Sequence, residues 1–364
     1  MERHTRAWSR LARHGLGVVV VAGAAAAVAA CSSSHRAATR RSATTAPTTA
    51  STTAGPPPAL PGGVGPLTGL AADPAVARRP ALVVKLDNAP KARPQAGLNQ
   101  ADIVIEEKVE DGVTRFFTIF QSHDADPVGP VRSARSTDIA LVTPLDHPLF
   151  AYSGTNAEFQ KLVSAAPLVD VGVGADPGAY GRRGDRPAPY NLFTSTSALY
   201  RRTPGSAKPP PPLLPFRPAG QSLTIGAGLA PASSVHIEFR GAHITTVVDF
   251  AWDGGAGVWR RSEDGKPHTD TAGIQVTPKN VVIEFVDYVD TGLRDRSNTP
   301  VPEGKVIGGG EAWVLTDGKI VRGRWSKPSA EAVTTYTDGQ GAAVPLTPGQ
   351  TWIELPPPGS ATTR

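Results

Sequence analysis

Apolar and polar positions divide the chain into segments of very different character. Residues 15–30 are almost entirely apolar, and residues 32–66 carry hardly any large apolar side chain. From Pro80 onward, short apolar runs bounded by Gly, Pro, Asn and Asp recur, the mark of strands separated by turns. Ala81–Leu86, Ile103–Val109, Thr114–Phe120 and Pro148–Tyr152 predict strands, and Asp111-Gly112 predicts a hairpin turn between the second and third. Helices are expected from about Ala134 to Val142, from Asn156 to Ala165, and after Ser195 as far as Arg201. Beyond residues 204–220, which hold seven prolines, strand follows strand. The runs are 235–239, 245–252, 258–260, 280–288, 311–315, 319–325, 333–336 and 351–355, with Thr316-Asp-Gly318 as a second hairpin turn. This implies an α+β protein. Residues 67–203 form a domain with a mixed or antiparallel sheet and helices, 204–220 a stiff linker, 221–356 a mainly antiparallel β domain, and 357–364 a tail.

The first apolar run changes the picture of where the protein lives. Arg3, Arg6, Arg10 and Arg13 precede it, and it is short for a membrane span, so residues 1–30 read as a signal peptide. Val28-Ala-Ala-Cys31 follows. It has the pattern of a bacterial lipobox, and the chain's single cysteine stands at the lipidated position. Acylation of Cys31, palmitate included, would hold the mature chain on the outer face of the cytoplasmic membrane. Residues 31–66, rich in Ser, Thr, Ala and Pro, cannot bury a core and read as a disordered tether. Such a tether spans about 30 Å on average, at roughly 5–6 Å times the square root of its length.

The formal charge of +5 weakens on inspection. Four arginines and one glutamate fall in residues 1–30, so the remainder carries only +2, too little to argue for nucleic acid. With one cysteine there is no disulfide framework. His123, His147, His236, His243 and His268 match no metal-ligand spacing, and no cofactor motif is present.

The densest chemistry lies in Gly129-Pro-Val-Arg-Ser-Ala-Arg-Ser-Thr-Asp138. Arg132 and Arg135 sit where a turn gives way to the expected helix, a place that normally favours acidic residues. Something negative must compensate them. One reading is an anion site made by Arg115, Arg132, Ser133 and Arg135, gripping a carboxylate or phosphate, with Glu106, Glu107, Asp138, Asp87, Asn88 and Asn191 in support. The other is an internal network of ion pairs among the same groups, with Ser133 capping the helix. Carboxylates at Asp87, Glu106 or Glu107 could instead serve a wall-active hydrolase or transferase, although no catalytic motif accompanies them. The five tryptophans from Trp252 to Trp352 suit either a sugar-stacking face or core packing.

Six motifs in order resemble the YerB-like bacterial lipoproteins, which carry a two-part domain of unknown function. They are Lys85–Asn88, Lys91–Leu98, Ala101–Val104, Gly112–Phe116, Gly129–Arg135 and Asn191–Thr194. Asp338-Gly339 and Pro348–Ile353 extend the resemblance into the C-terminal part, so that it covers about residues 66–356. Tyr152 and Tyr190 stand where the family pattern often has histidines, which argues against a shared histidine reaction. The resemblance implies an envelope lipoprotein without an established activity. With the charged motif, it points to binding of an anionic ligand, a cell-wall component or an envelope protein.

Overall fold

A computed structural model describes Gly55, Pro57 and residues 63–364, apart from 225–227 and 296. Cys31, the expected signal peptide and nearly all of the expected tether lie outside the described residues. Among those described, no helix is long and apolar enough to cross a membrane.

One sheet of eleven strands organises the molecule. Numbered in chain order within that sheet, they are β1 Leu82–Asp87, β2 Ile103–Lys108, β3 Thr114–Phe120, β4 Leu149–Ala151, β5 Val169–Asp170, β6 Leu229–Pro231, β7 Asn280–Glu284, β8 Gly308–Thr316, β9 Lys319–Lys327, β10 Thr335–Thr337 and β11 Thr351–Leu355. Across the sheet the order is β10-β9-β8-β7-β11-β2-β3-β1-β4-β5, with β6 pairing β9. The strand that joins its two halves is the last of the eleven in sequence. β11 lies parallel to β2 on one side, with Ile353 opposite Ile105 and Glu354 opposite Glu106, and parallel to β7 on the other. β1, β3, β7 and β11 are buried along their whole length, which explains why their sequences are near-continuous apolar runs rather than alternating ones.

A second, antiparallel sheet covers one face. Its strands run in the order 266–267, 258–263, 245–253, 234–240 and 361–363. Residues 234–240 alternate between buried and half-exposed, as a sheet with one wet face should. Between the sheets pack Phe116, Phe239, Phe250, Trp259 and Trp352. The opposite face of the large sheet, bearing Val83, Phe117 and Phe150, is covered by Val142 and Val163 from the helices Thr137–Val142 and Ala157–Ala165, and by Leu214.

The α+β class is as the pattern implied, with a mixed sheet in the N-terminal part and antiparallel strands dominating the C-terminal part. The differences are local. The 280–288 run divides into β7 and a separate hairpin, Tyr288–Arg294 with Pro300–Gly304, which stands outside both large sheets. Residues 361–363, expected in a tail, pair with the 234–240 strand. The helix expected from Ala134 begins only at Thr137. Thr316-Asp-Gly318 forms its hairpin, with Asp317 and Gly318 both at positive φ, the conformation that an Asp-Gly pair accepts most readily.

Candidate anion-binding cleft

Alternation along β1, β2 and β3 sends neighbouring side chains to opposite faces of the large sheet. Lys85, Asp87, Glu107 and Arg115 point to the helix-covered face; Glu106, Thr114 and Phe116 point to the second sheet. On the helix face, Lys85 Nζ bonds Glu107 and lies 2.6 Å from Asp138 Oδ1, and all three side chains are sealed from solvent. Burial raises the Glu107 carboxyl, with Lys85 opposing.

The arginines lie beside this triad. Arg132 Nε is 2.9 Å from Asp87 Oδ2. Arg135 Nε donates to Glu110 Oε1 at 2.8 Å, and its main-chain N–H donates to Asp138 Oδ2 at 2.6 Å. Arg115 Nη1 donates to the Ser133 carbonyl at 2.8 Å, and its Nη2 lies 3.5 Å from Glu110. Burial, with repulsion from Arg115 next, brings Arg135 down to about 10, so it stays charged at neutral pH.

Ser133 does not cap the helix. The helix has six residues and starts at Thr137, and its cap position, Ser136, makes no side-chain capping bond. Val131 instead bridges to Leu86, and residues 132–134 lie outside any helix or strand. Arg132 N–H donates to the Lys85 carbonyl at 2.8 Å, and Ala134 N–H to the Gly154 carbonyl at 3.0 Å. Tertiary backbone bonds therefore hold the arginines, and the helix dipole plays no part.

All four residues expected in the anion site, Arg115, Arg132, Ser133 and Arg135, line one cleft of about 500 Å³. Two further arginines, Arg182 and Arg294, also line it, so five arginines share the cavity with Glu110 and Asp295. Arg182 donates to Asn191 Oδ1 at 2.7 Å, which gives the expected supporting residue Asn191 its place. Arg294 comes from the 288–304 hairpin, 3.7 Å from Asp290 with both side chains about half exposed. Glu110, Arg182 and Arg294 were not legible beforehand: Glu110 precedes a turn pair, and the two arginines lie in segments without periodicity. Asp87, Glu107 and Asp138 lie on the same face of the sheet as the cleft arginines, Asp87 against Arg132 and the other two against Lys85.

Glu106 and Asn88 do not. They point to the other face, where Arg261 is sealed between the sheets. Arg261 Nη2 lies 2.5 Å from Glu106, its Nη1 lies 3.1 Å from Glu263, and its guanidinium sits 4.7 Å over the Trp352 ring. Asn88 Nδ2 donates to Glu263 at 2.5 Å and to Glu106 at 3.1 Å. His268 donates from Nε2 to Gln95 and accepts from Arg261 at Nδ1; burial first, and Arg261 second, hold it neutral. Glu354 faces Glu106 across paired strands, and neither of its oxygens has a hydrogen-bond partner among the described residues. Burial and then Glu106 push its carboxyl far up, so Glu354 keeps its proton.

Asp87, Glu106 and Glu107, the carboxylates considered for hydrolysis, are each at most 2% exposed, and none lines the cleft. The described residues hold no group of His, Cys, Asp and Glu arranged for a metal. Trp259, Trp325 and Trp352 are buried in the cores, and the half-buried Trp252 and Trp313 pack against Trp259 and Phe285, so core packing accounts for the tryptophans.

Comparison with known proteins adds the family. The N-terminal domain of the protein of unknown function DUF3048 matches residues 67–208, and the C-terminal domain of the same family matches residues 235–353. A Bacillus subtilis (strain 168) protein named "Putative lipoprotein YerB" is 30% identical over 305 residues, covering 80% of this chain and 86% of its own length. The crystal structure of the YerB protein from Bacillus subtilis superposes with a TM-score of 0.71 at 27% identity, over 83% of this chain and 99% of that one.

Proposed function

This chain belongs to the DUF3048 family of proteins of unknown function, and from that premise we propose that it is an extracytoplasmic lipoprotein whose arginine-lined cleft binds an anionic ligand. Acyl chains on Cys31 hold it at the outer face of the cytoplasmic membrane, and the 31–66 segment lets the folded part stand off from the surface. The observation that carries the reading is the gathering of five arginines around one cavity of about 500 Å³, a size that suits a small ligand. The cleft draws on both parts of the family domain. Arg115, Arg132, Arg135 and Arg182 come from the first part and Arg294 from the second.

Two experiments test it. Cells given labelled palmitate should label the chain, and Cys31→Ser should abolish the label and shift the protein from the membrane fraction to the medium. Purified full chain in a non-ionic detergent should gain thermal stability with multivalent anions and none with neutral sugars. An unchanged midpoint with every anion would remove the binding reading.

A further inference from the structure

The cleft is rich in donors and poor in free acceptors, and this imbalance says what kind of anion fits. Glu110, its buried carboxylate, is already taken by Arg135 and Arg115. Arg115 has a side chain only 7% exposed, lines the cleft, and has a buried Nε without a partner. On the adjoining wall, the main-chain N–H groups of Gly154, Thr155 and Asn156 find no partner among the described residues. Asn156 opens the nine-residue helix Ala157–Ala165, whose positive end therefore borders the cavity.

Forked guanidiniums approaching from several sides need several acceptor oxygens on one centre. A carboxylate presents two. A terminal phosphate presents three, and it carries about −1.5 to −2 at neutral pH. The rest of the wall is polar. Ser133, Ser153 and Thr155 supply hydroxyls, whereas the apolar contribution is confined to a few side chains such as Val131 and Leu192. An acyl chain would gain little there; hydroxyl groups would find partners.

We propose that the cleft recognises a terminal phosphate ester carried on a hydroxylated body, a sugar or polyol phosphate. This rests on the anion-binding reading and narrows it. The shared chemistry could arrive as a soluble ester or as the headgroup of a lipid with a terminal phosphate.

The test uses the full chain carrying Cys31→Ser, so that no acyl anchor confounds binding to vesicles. Titration calorimetry compares glycerol 3-phosphate, glucose 1-phosphate, inorganic phosphate and citrate. Flotation compares vesicles of phosphatidylcholine alone with vesicles containing phosphatidic acid. The expected result is that one of the phosphate esters binds at least tenfold more tightly than inorganic phosphate and citrate. That affinity should fall at least tenfold in Arg182→Gln plus Arg294→Gln, two exposed positions whose replacement should leave the unfolding midpoint in place. Capture by phosphatidic acid vesicles with weak binding of the soluble esters would support the same phosphate chemistry and assign it to a lipid. Citrate binding as tightly as the esters would overturn the phosphate assignment while leaving the anion cleft standing. Binding of no anion and no vesicle would overturn both.

Discussion

On one face of β2, Glu107 meets Lys85 and Asp138 beneath a cleft open to water. On the other, one residue away, Glu106 meets Arg261 between two closed sheets. The ingredients are alike and the balance is opposite. Five arginines and two carboxylates line the cleft; Asp87 and Asp290 pair with Arg132 and Arg294 from outside it, and Arg182 has no carboxylate partner among the described residues, so its charge is open to a ligand. The sealed side gathers Glu106, Glu263 and Glu354 around Arg261, with Arg93 reaching Glu263 at 2.6 Å from the edge. Its surplus is negative, and burial raises the carboxyls of Glu354 and Glu263, which favours a proton held within the cluster. A buried charge without solvent must be cancelled internally, whereas a charge bordering a cavity can wait for a ligand. The difference separates a structural cluster from a candidate site more clearly than residue type does.

The contrast can be broken most forcefully at Arg261. Arg261→Met would strand buried carboxylates and should cost about 3–5 kcal/mol in urea unfolding; a loss under about 1 kcal/mol would mean the cluster is not sealed. The next effect is a pH dependence. Glu354 has a folded pKa above its unfolded value, so the native state binds the extra proton. Stability is then fully present below the ordinary glutamate range and declines as pH rises from there toward the raised pKa. The slope is about 1.4 kcal/mol per pH unit for one proton. Glu354→Gln should reduce that slope by its own share, leaving the contributions of the raised Glu107, Glu263 and Glu284 carboxyls, and a parent chain whose urea midpoint is constant from pH 5 to 8 would count against the retained proton.

Salt offers a finer cut. Raising ionic strength from about 0.01 M to 1 M shortens the screening length from about 30 Å to 3 Å. Anion affinity at the cleft should fall steeply over that range, while the cost of Arg261→Met stays nearly constant. The smallest effect is expected at Arg182, which is exposed and whose side chain bonds only Asn191 among the described residues. Arg182→Gln should alter unfolding free energy by less than about 0.5 kcal/mol. A larger loss would place that arginine in the framework rather than at the mouth of the cleft.

Local pattern was enough for most of the strands, because runs such as Leu82–Leu86, broken only by Lys85, and Val281–Ile283 are dominated by large apolar residues. It was also enough to single out Arg115, Arg132, Ser133 and Arg135, since clustered cations demand compensation wherever they fold. Pattern failed where both faces of a strand are buried. Glu106 and Glu107 then sit in equivalent surroundings as far as sequence goes, and only the packing of a second sheet assigns them. It failed again at Ser133, whose residue types suit a helix start. The bonds from Arg132 to Lys85 and from Ala134 to Gly154 override that preference, and they join segments distant in sequence. Arg182 and Arg294 entered the cleft by the same long-range route.

The position of β11 has a consequence for biogenesis. Synthesis from the N-terminus delivers residues 351–355 after every other strand of the large sheet, yet those residues fill the gap between β2 and β7. Until they emerge, two hydrophobic strand edges in the middle of the sheet have no neighbour, the condition that invites mispairing and capture by proteases. The two halves therefore mature together, on completion of the chain. A product that stops short of Thr351 should be degraded, however intact its cleft residues are.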